Sequence, residues 1–154
     1  MGNAKPYLQA ACVCENILIE PDTVPSLIRI VGKFIITPPD IEMPKGIPTG
    51  FPMKLFVSFK RGDSIGKGKV SVYGTRPDGS DGPKTDTEVV FPGGVSGTAQ
   101  IKADFHIIDP QAGTYWFNVL WDDELITKIP VEVEITKPAQ PPVASVTVPL
   151  QKSN

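Results

Sequence analysis

Apolar and polar residues alternate along most of this chain, which is the pattern of β-strands that bury one face. The clearest stretch places Ala99, Ile101, Ala103, Phe105 and Ile107 on one side of an extended backbone. Glycine or proline residues separate this stretch from similar ones elsewhere in the chain. We therefore predict about eight strands, at residues 7–15, 28–36, 53–60, 69–75, 87–91, 98–107, 115–121 and 129–135.

The way these strands are connected predicts the fold class. No segment shows a sustained helical period, and most intervening loops are too short for a crossover helix, so the strands should be largely antiparallel. Half-buried strands in this number need two packed sheets or a closed barrel. We predict an all-β fold, an antiparallel two-sheet Greek-key sandwich that is immunoglobulin-like or C2-like.

Proline and glycine mark the loops and the domain boundary. Residues 37–52 contain five prolines, too many for a central strand, and residues 74–84 are rich in turn formers. We read residues 62–66 as a hairpin turn, and residues 121–125 as a tight hairpin between the last two strands. We expect one domain at residues 1–136, followed by a proline-rich flexible tail at 137–154, with a further strand at Val143–Val148 as the open alternative.

Composition and charge exclude several classes of function. Of 154 residues, 40% are hydrophobic and 21% are charged, which is typical of a soluble domain. The net charge of -2 argues against a nucleic-acid partner. No apolar run is long enough to span a membrane, and the first residues do not resemble a secretion signal. With free thiols expected at Cys12 and Cys14, we predict a cytoplasmic location.

The residues that most often carry chemistry form no convincing constellation. His106 is the only histidine and is expected on an outward strand face beside Asp104, without a pocket to orient a nucleophile. Two cysteines cannot complete a four-ligand zinc site. Carboxylates at residues 122–124 and around residue 80 are typical of turns, although calcium binding there stays open as an alternative. We predict no catalytic residue, no metal and no cofactor, and therefore no enzyme activity.

Apolar residues that point away from the predicted core indicate an interaction surface. Trp116 and Leu120 flank Asn118 on one strand, and Phe56 points outward on another. We predict a non-enzymatic β-sandwich that serves as a binding or assembly module, with a protein partner or self-association between edge strands. The alternative is a loop-based carbohydrate- or calcium-dependent ligand-binding module, and no particular small-molecule ligand is indicated.

Two parts of the sequence resemble a known family. Residues 7–18, YLQAACVCENIL, with residues 26–31, SLIRIV, resemble the start of a family of uncharacterised bacterial proteins of similar length that carry a domain of unknown function. Residues 113–115 and 121–130 resemble the closing hairpin of that family. The resemblance covers most of residues 7–136. It implies a bacterial cytosolic protein with one β domain, and it implies no catalytic residues.

Overall fold

Two β-sheets face each other in the computed structural model, which describes residues 4–38, 50–64, 66–94 and 96–137. One sheet has four strands in the order β2-β1-β4-β7, and the other has five in the order β3-β9-β8-β5-β6. This arrangement confirms the predicted two-sheet sandwich, with no helix in the described ranges. The strands are β1 (Tyr7–Ile19), β2 (Pro25–Ile30), β3 (Lys33–Ile36), β4 (Gly50–Lys60), β5 (Lys67–Thr75), β6 (Thr85–Val90), β7 (Thr98–Ile108), β8 (Gly113–Trp121) and β9 (Glu124–Ile135).

The inward faces of the two sheets form one hydrophobic core. Aromatic rings join the sheets at three places: Phe34 packs against Phe51 at 4.8 Å between ring centroids, Phe105 packs edge-on against Phe117 at 5.0 Å, and Phe59 packs against Trp121 at 5.9 Å. Every second residue of β4, β7 and β8 contributes to this core, as the alternation predicts. The most deeply buried members are Val13, Met53, Leu55, Val57, Phe59, Val70, Phe117, Val119, Val131 and Val133.

The segment predicted as one strand at residues 28–36 is two strands in different sheets. β2 pairs with β1 in the four-stranded sheet, whereas β3 pairs with β9 in the five-stranded sheet and runs parallel to it. Gly32 lies between them, and Val31 donates its backbone N–H to Val13 O at 2.9 Å before the chain crosses over. Ile28 and Ile30 of β2 are exposed, whereas Phe34 and Ile36 of β3 pack against the core, so a continuous alternation in the sequence hides both the change of sheet and the change in burial.

Two predicted loops also differ from the structure. Residues 62–66 do not form a hairpin turn, because β4 and β5 belong to different sheets and this segment crosses between them. Pro52 was expected in a loop but lies in β4, opposite His106 of β7. Proline has no backbone N–H to donate to a neighbouring strand. At Pro52 this breaks no described hydrogen bond on the β1 side of β4, because the pairing of β4 with β1 ends at Lys54. The preceding prolines, at residues 39–49, and the predicted tail from residue 138 onward lie outside the described residues.

The predicted hairpin between the last two strands is confirmed. Trp121 pairs with Glu124, and Asp122 and Asp123 between them have φ values of 45° and 65°. Positive φ at both central residues is the geometry of the tight turn that matches strand twist. The Asp122 carboxylate accepts the backbone N–H of Lys69 at 2.9 Å, which joins the turn to β5.

Close packing of the Trp121 ring on Gly68 gives a stability test. A Cβ at Gly68 would overlap the indole ring, whereas a Cβ at Gly32 would meet nothing within 4 Å. We expect Gly68→Ala to lower the free energy of unfolding by about 1–3 kcal/mol through overpacking. Denaturant unfolding measures this, with Gly32→Ala as the matched control. Equal stability of the two variants would contradict the packing of Trp121 on this glycine.

The acidic turn predicts a dependence of stability on pH. Hydrogen bonds from Lys84 and then Lys69 lower the pKa of Asp123 to about 2 from 3.8. A carboxylate whose pKa is lower in the folded state than in the unfolded state stabilises the fold at pH values above the unfolded-state pKa. This stabilisation is lost as the pH falls through the folded-state pKa. Between about pH 4 and pH 2, Asp123→Asn should therefore show a smaller decrease in Tm than the unmodified chain. Glu88→Gln, at an exposed carboxylate with no hydrogen bond to the described residues, is the control and should leave the decrease unchanged.

Candidate functional site

Three of the four residues predicted to form an interaction surface lie together on the outer face of the five-stranded sheet. Trp116, Asn118 and Leu120 project from β8 in a row, and we call this surface the β8 face. Strand register fixes their neighbours on both sides. On β9 the residues opposite them are Pro130, Lys128 and Leu125, and on β5 they are Thr75, Tyr73 and Ser71.

Trp116 is the large aromatic side chain at one end of the β8 face. Its exposed fraction is 39%, so a broad apolar surface meets solvent. Lys128 holds its ammonium group 5.6 Å from the centroid of the ring, within the range of a cation–π interaction. Pro130 and Thr75 lie opposite it on the neighbouring strands. Trp116 is therefore both exposed and held in place.

Asn118 is buried within the β8 face and hydrogen-bonds to the neighbouring strand. Its side chain is only 2% exposed, which corrects its expected role as a surface contact. The Asn118 amide donates to Thr75 Oγ1 at 2.9 Å and to the Trp116 carbonyl at 3.4 Å. Thr75 in turn donates to the Asp81 carboxylate at 2.6 Å. Buried amides need such partners, and this chain of bonds fixes β8 to β5 beside Trp116.

Leu120 continues the apolar part of the β8 face towards the β8–β9 turn. It is partly exposed and lies opposite Leu125, whose side chain is 48% exposed. A register shift falls between Val119 and Leu120, and local shifts of this kind increase strand twist. Trp116 and the Leu120–Leu125 pair are therefore two apolar areas separated by the buried Asn118.

Phe56 does not belong to this surface, and its expected exposure is wrong. It lies on β4 in the other sheet and is only 5% exposed, although it points away from the core. Cys12 of β1 and Lys102 of β7 flank it directly. Alternation gives the direction of a side chain but not how much of it the surrounding residues cover. Burial raises the pKa of the Cys12 thiol, and Cys12 and the buried Cys14 are both free.

A cleft that the sequence did not predict opens between β6 and β7, where each strand is the outermost described member of its sheet. It encloses about 620 Å³ and is lined inside by Val72, Phe105 and Phe117. Arg76 lies at one end, where its guanidinium donates to the Ile108 carbonyl at 2.9 Å. The alternation of β7 shows that one face is buried, but it does not show which strands lie beside it.

The residues weighed for chemistry stay apart. His106 and Asp104 are both exposed on the outer face of β7, as predicted, and Asp104 accepts a hydrogen bond from Lys54 at 2.6 Å. Within the described ranges, no three histidine, cysteine, aspartate or glutamate residues lie close enough to hold a metal ion. The same ranges contain no helix long and apolar enough to cross a bilayer.

Comparisons with known proteins give weak structural similarities. No protein-family model and no curated protein matches the chain. An alkylpurine DNA glycosylase from Pseudomonas fluorescens, bound to DNA, is similar over 80% of this chain and 30% of its own, with 13% identity and a TM-score of 0.43. An immunoglobulin-like protein from Pseudomonas aeruginosa is similar over 87% of this chain and 100% of its own, with 12% identity and a TM-score of 0.40.

A β-glucosidase from Listeria innocua, in complex with isofagomine, is similar over 87% of this chain and 17% of its own, with 10% identity and a TM-score of 0.37. This chain thus spans less than a third of the glycosylase and less than a fifth of the glucosidase. Binding of DNA and of isofagomine are properties of those proteins. The two packed sheets and their strand order define the class of this chain, an immunoglobulin-like β-sandwich.

The supporting role of Asn118 is testable. Asn118→Ala removes the amide that donates to Thr75 and leaves a small void, so we expect the free energy of unfolding to fall by about 1–2 kcal/mol. Thr114→Ala, at an exposed position of the same strand and face, should change it by less than about 0.5 kcal/mol. Denaturant unfolding of both variants checks this. If Asn118→Ala has the same free energy of unfolding as the unmodified chain, the Asn118 amide does not stabilise the β8 face.

Proposed function

We propose that this chain is a non-enzymatic binding module that engages a protein partner through the β8 face. The exposed and restrained ring of Trp116 carries the proposal. Tryptophan is enriched among residues that dominate binding energy, and a rigid side chain loses little conformational freedom on binding. A surface of this kind is suited to association rather than to catalysis.

The surroundings of Trp116 support a protein partner. Pro130 beside the ring, and Leu120 with Leu125 nearby, provide further apolar area, while Lys128 and Tyr73 provide polar groups. Protein interfaces combine apolar area with polar groups in this way. The β8 face is part of a regular sheet, and the cleft described above lies on another side of the molecule.

The central test substitutes Trp116. We expect Trp116→Lys to abolish capture of the partner in a pull-down from the source cells, read by mass spectrometry. Ile35→Lys is the matched control, because Ile35 is 64% exposed and lies on β3, away from the β8 face. With the purified partner, calorimetry should show that Trp116→Ala costs about 2 kcal/mol or more, roughly a thirtyfold loss of affinity. A partner retained by Trp116→Lys but lost by Ile35→Lys would contradict the proposal.

The alternative function, a carbohydrate- or calcium-dependent ligand module, is tested by thermal shift with calcium and with a panel of glycans. Specific ligand binding must raise Tm by mass action. A rise with one of these ligands, together with no protein partner, would favour the alternative.

We also propose a cytoplasmic location, for which the free thiols of Cys12 and Cys14 are the support.

A further inference from the structure

The outermost strands of the two sheets differ in how they are protected against pairing with another chain. β2 begins at Pro25 and contains Arg29 with a φ of 50°. β3 has only four residues, and β6 has six and carries Asp86 and Glu88. Short strands, prolines, irregular backbone and charges are the devices that prevent edge-to-edge association.

β7 differs from the other outermost strands in its length and regular backbone, and its two charges, Lys102 and Asp104, are opposite in sign. It has eleven residues and no proline, and it pairs with β4 without interruption from Thr98 to Ile108. None of its residues has a positive φ. On its other side, the described residues place no strand beside it. Among the described residues, β7 is therefore a long, regular edge whose outer side pairs with no strand.

One hydrogen bond shows which backbone groups of β7 face outward. The Ile108 carbonyl accepts from Arg76, so it points away from β4. Because backbone groups alternate between the two sides of a strand, the N–H and C=O of Lys102, Asp104 and His106 also point outward. A second strand must place its own outward-facing residues opposite these.

We propose that two copies of this chain associate by antiparallel pairing of β7 with β7 about a two-fold axis at Ala103. This surface is separate from the β8 face. The overlap is then centred on the strand, because Ala103 is the midpoint of Thr98–Ile108, and only the Ile108 carbonyl at each end stays with Arg76. The register is set by charge: Lys102 lies opposite Asp104 of the second copy, and Asp104 lies opposite Lys102 of the second copy.

The neighbouring registers with correct backbone alternation are unfavourable. An axis at Lys102 would place two ammonium groups directly opposite each other, and an axis at Asp104 would do the same with two carboxylates. Like charges in directly opposed positions destabilise a strand pair, and opposite charges stabilise it. The inward faces agree with the Ala103 register, because Ile101 then lies opposite Phe105 of the second copy.

The side chains needed for this pairing are available. The Asp104 side chain is 82% exposed, and its bond with Lys54 uses one carboxylate oxygen. Lys102 is exposed and makes no ion pair with the described residues. In the dimer, Asp104 would lie between Lys54 of its own chain and Lys102 of the second copy, and the second strand would cover the mouth of the cleft.

Charge reversal tests the proposal in solution by sedimentation velocity. We expect the unmodified chain to form a reversible dimer as its concentration rises to the millimolar level. Lys102→Asp alone and Asp104→Lys alone should each lose roughly tenfold or more in dimer affinity, because each opposes like charges twice per dimer. An equimolar mixture of the two variants restores both opposite-charge pairs and should recover the dimer. The control Glu88→Lys, on β6, should dimerise like the unmodified chain.

Amide hydrogen exchange of the unmodified chain provides a second test that requires no substitution. The amides of Lys102, Asp104 and His106 should gain protection as the concentration rises, while those of Ala103 and Phe105, which already face β4, should not change. A chain that stays monomeric at every concentration would overturn the proposal. So would a charge variant that dimerises normally alone, a mixture that does not recover the dimer, or protection that appears on β6 instead of β7.

Discussion

The packing of Trp121 is the interaction on which the rest of the structure depends. Its ring contacts Phe59 of the opposite sheet and Phe91 after β6, with centroid distances of 5.9 and 5.7 Å. It also lies directly on Gly68 of β5, where a Cβ would overlap the ring. The two aspartates that follow Trp121 then join the β8–β9 turn to Lys69 and Lys84. One indole therefore fixes the distance between the sheets and the position of the turn at this end of the sandwich.

The two faces of β8 differ in their environment: one packs in the core and the other faces outward. Its inward residues, including Phe117 and Val119, belong to the most deeply buried part of the core. Its outward residues form the β8 face, where Asn118 is buried by its neighbours and Trp116 is not. Because the core holds the backbone of β8 from one side and the Asn118–Thr75 bond holds it from the other, Trp116 is presented on a rigid support. This rigidity is what makes a single exposed tryptophan suited to recognition.

The sequence predicts side-chain direction well and strand neighbours poorly. Period-two alternation follows from the backbone itself, so the inward faces of β4, β7 and β8 were readable from residues such as Met53, Ile101 and Phe117. Strand order depends on contacts between distant segments, so the alternation at residues 28–36 does not reveal that β2 and β3 belong to different sheets. Within the candidate site, the direction of Trp116 was readable, whereas the burial of Phe56 and Asn118 depends on the size and bonding of residues on neighbouring strands.

The parallel pairing of β3 with β9 has a consequence for the order in which the chain acquires its structure during synthesis. Lys33 of β3 pairs with Glu132 of β9, so this contact spans most of the described sequence. On a ribosome, β1, β2 and β4 emerge early and can pair with each other, but β3 must wait until β9 has left the exit tunnel. Closing so long a loop is slow because the entropic cost comes before any contact is gained. Until then, Ile35 and its neighbours remain unpaired, and the short length of β3 limits what they can pair with in the meantime.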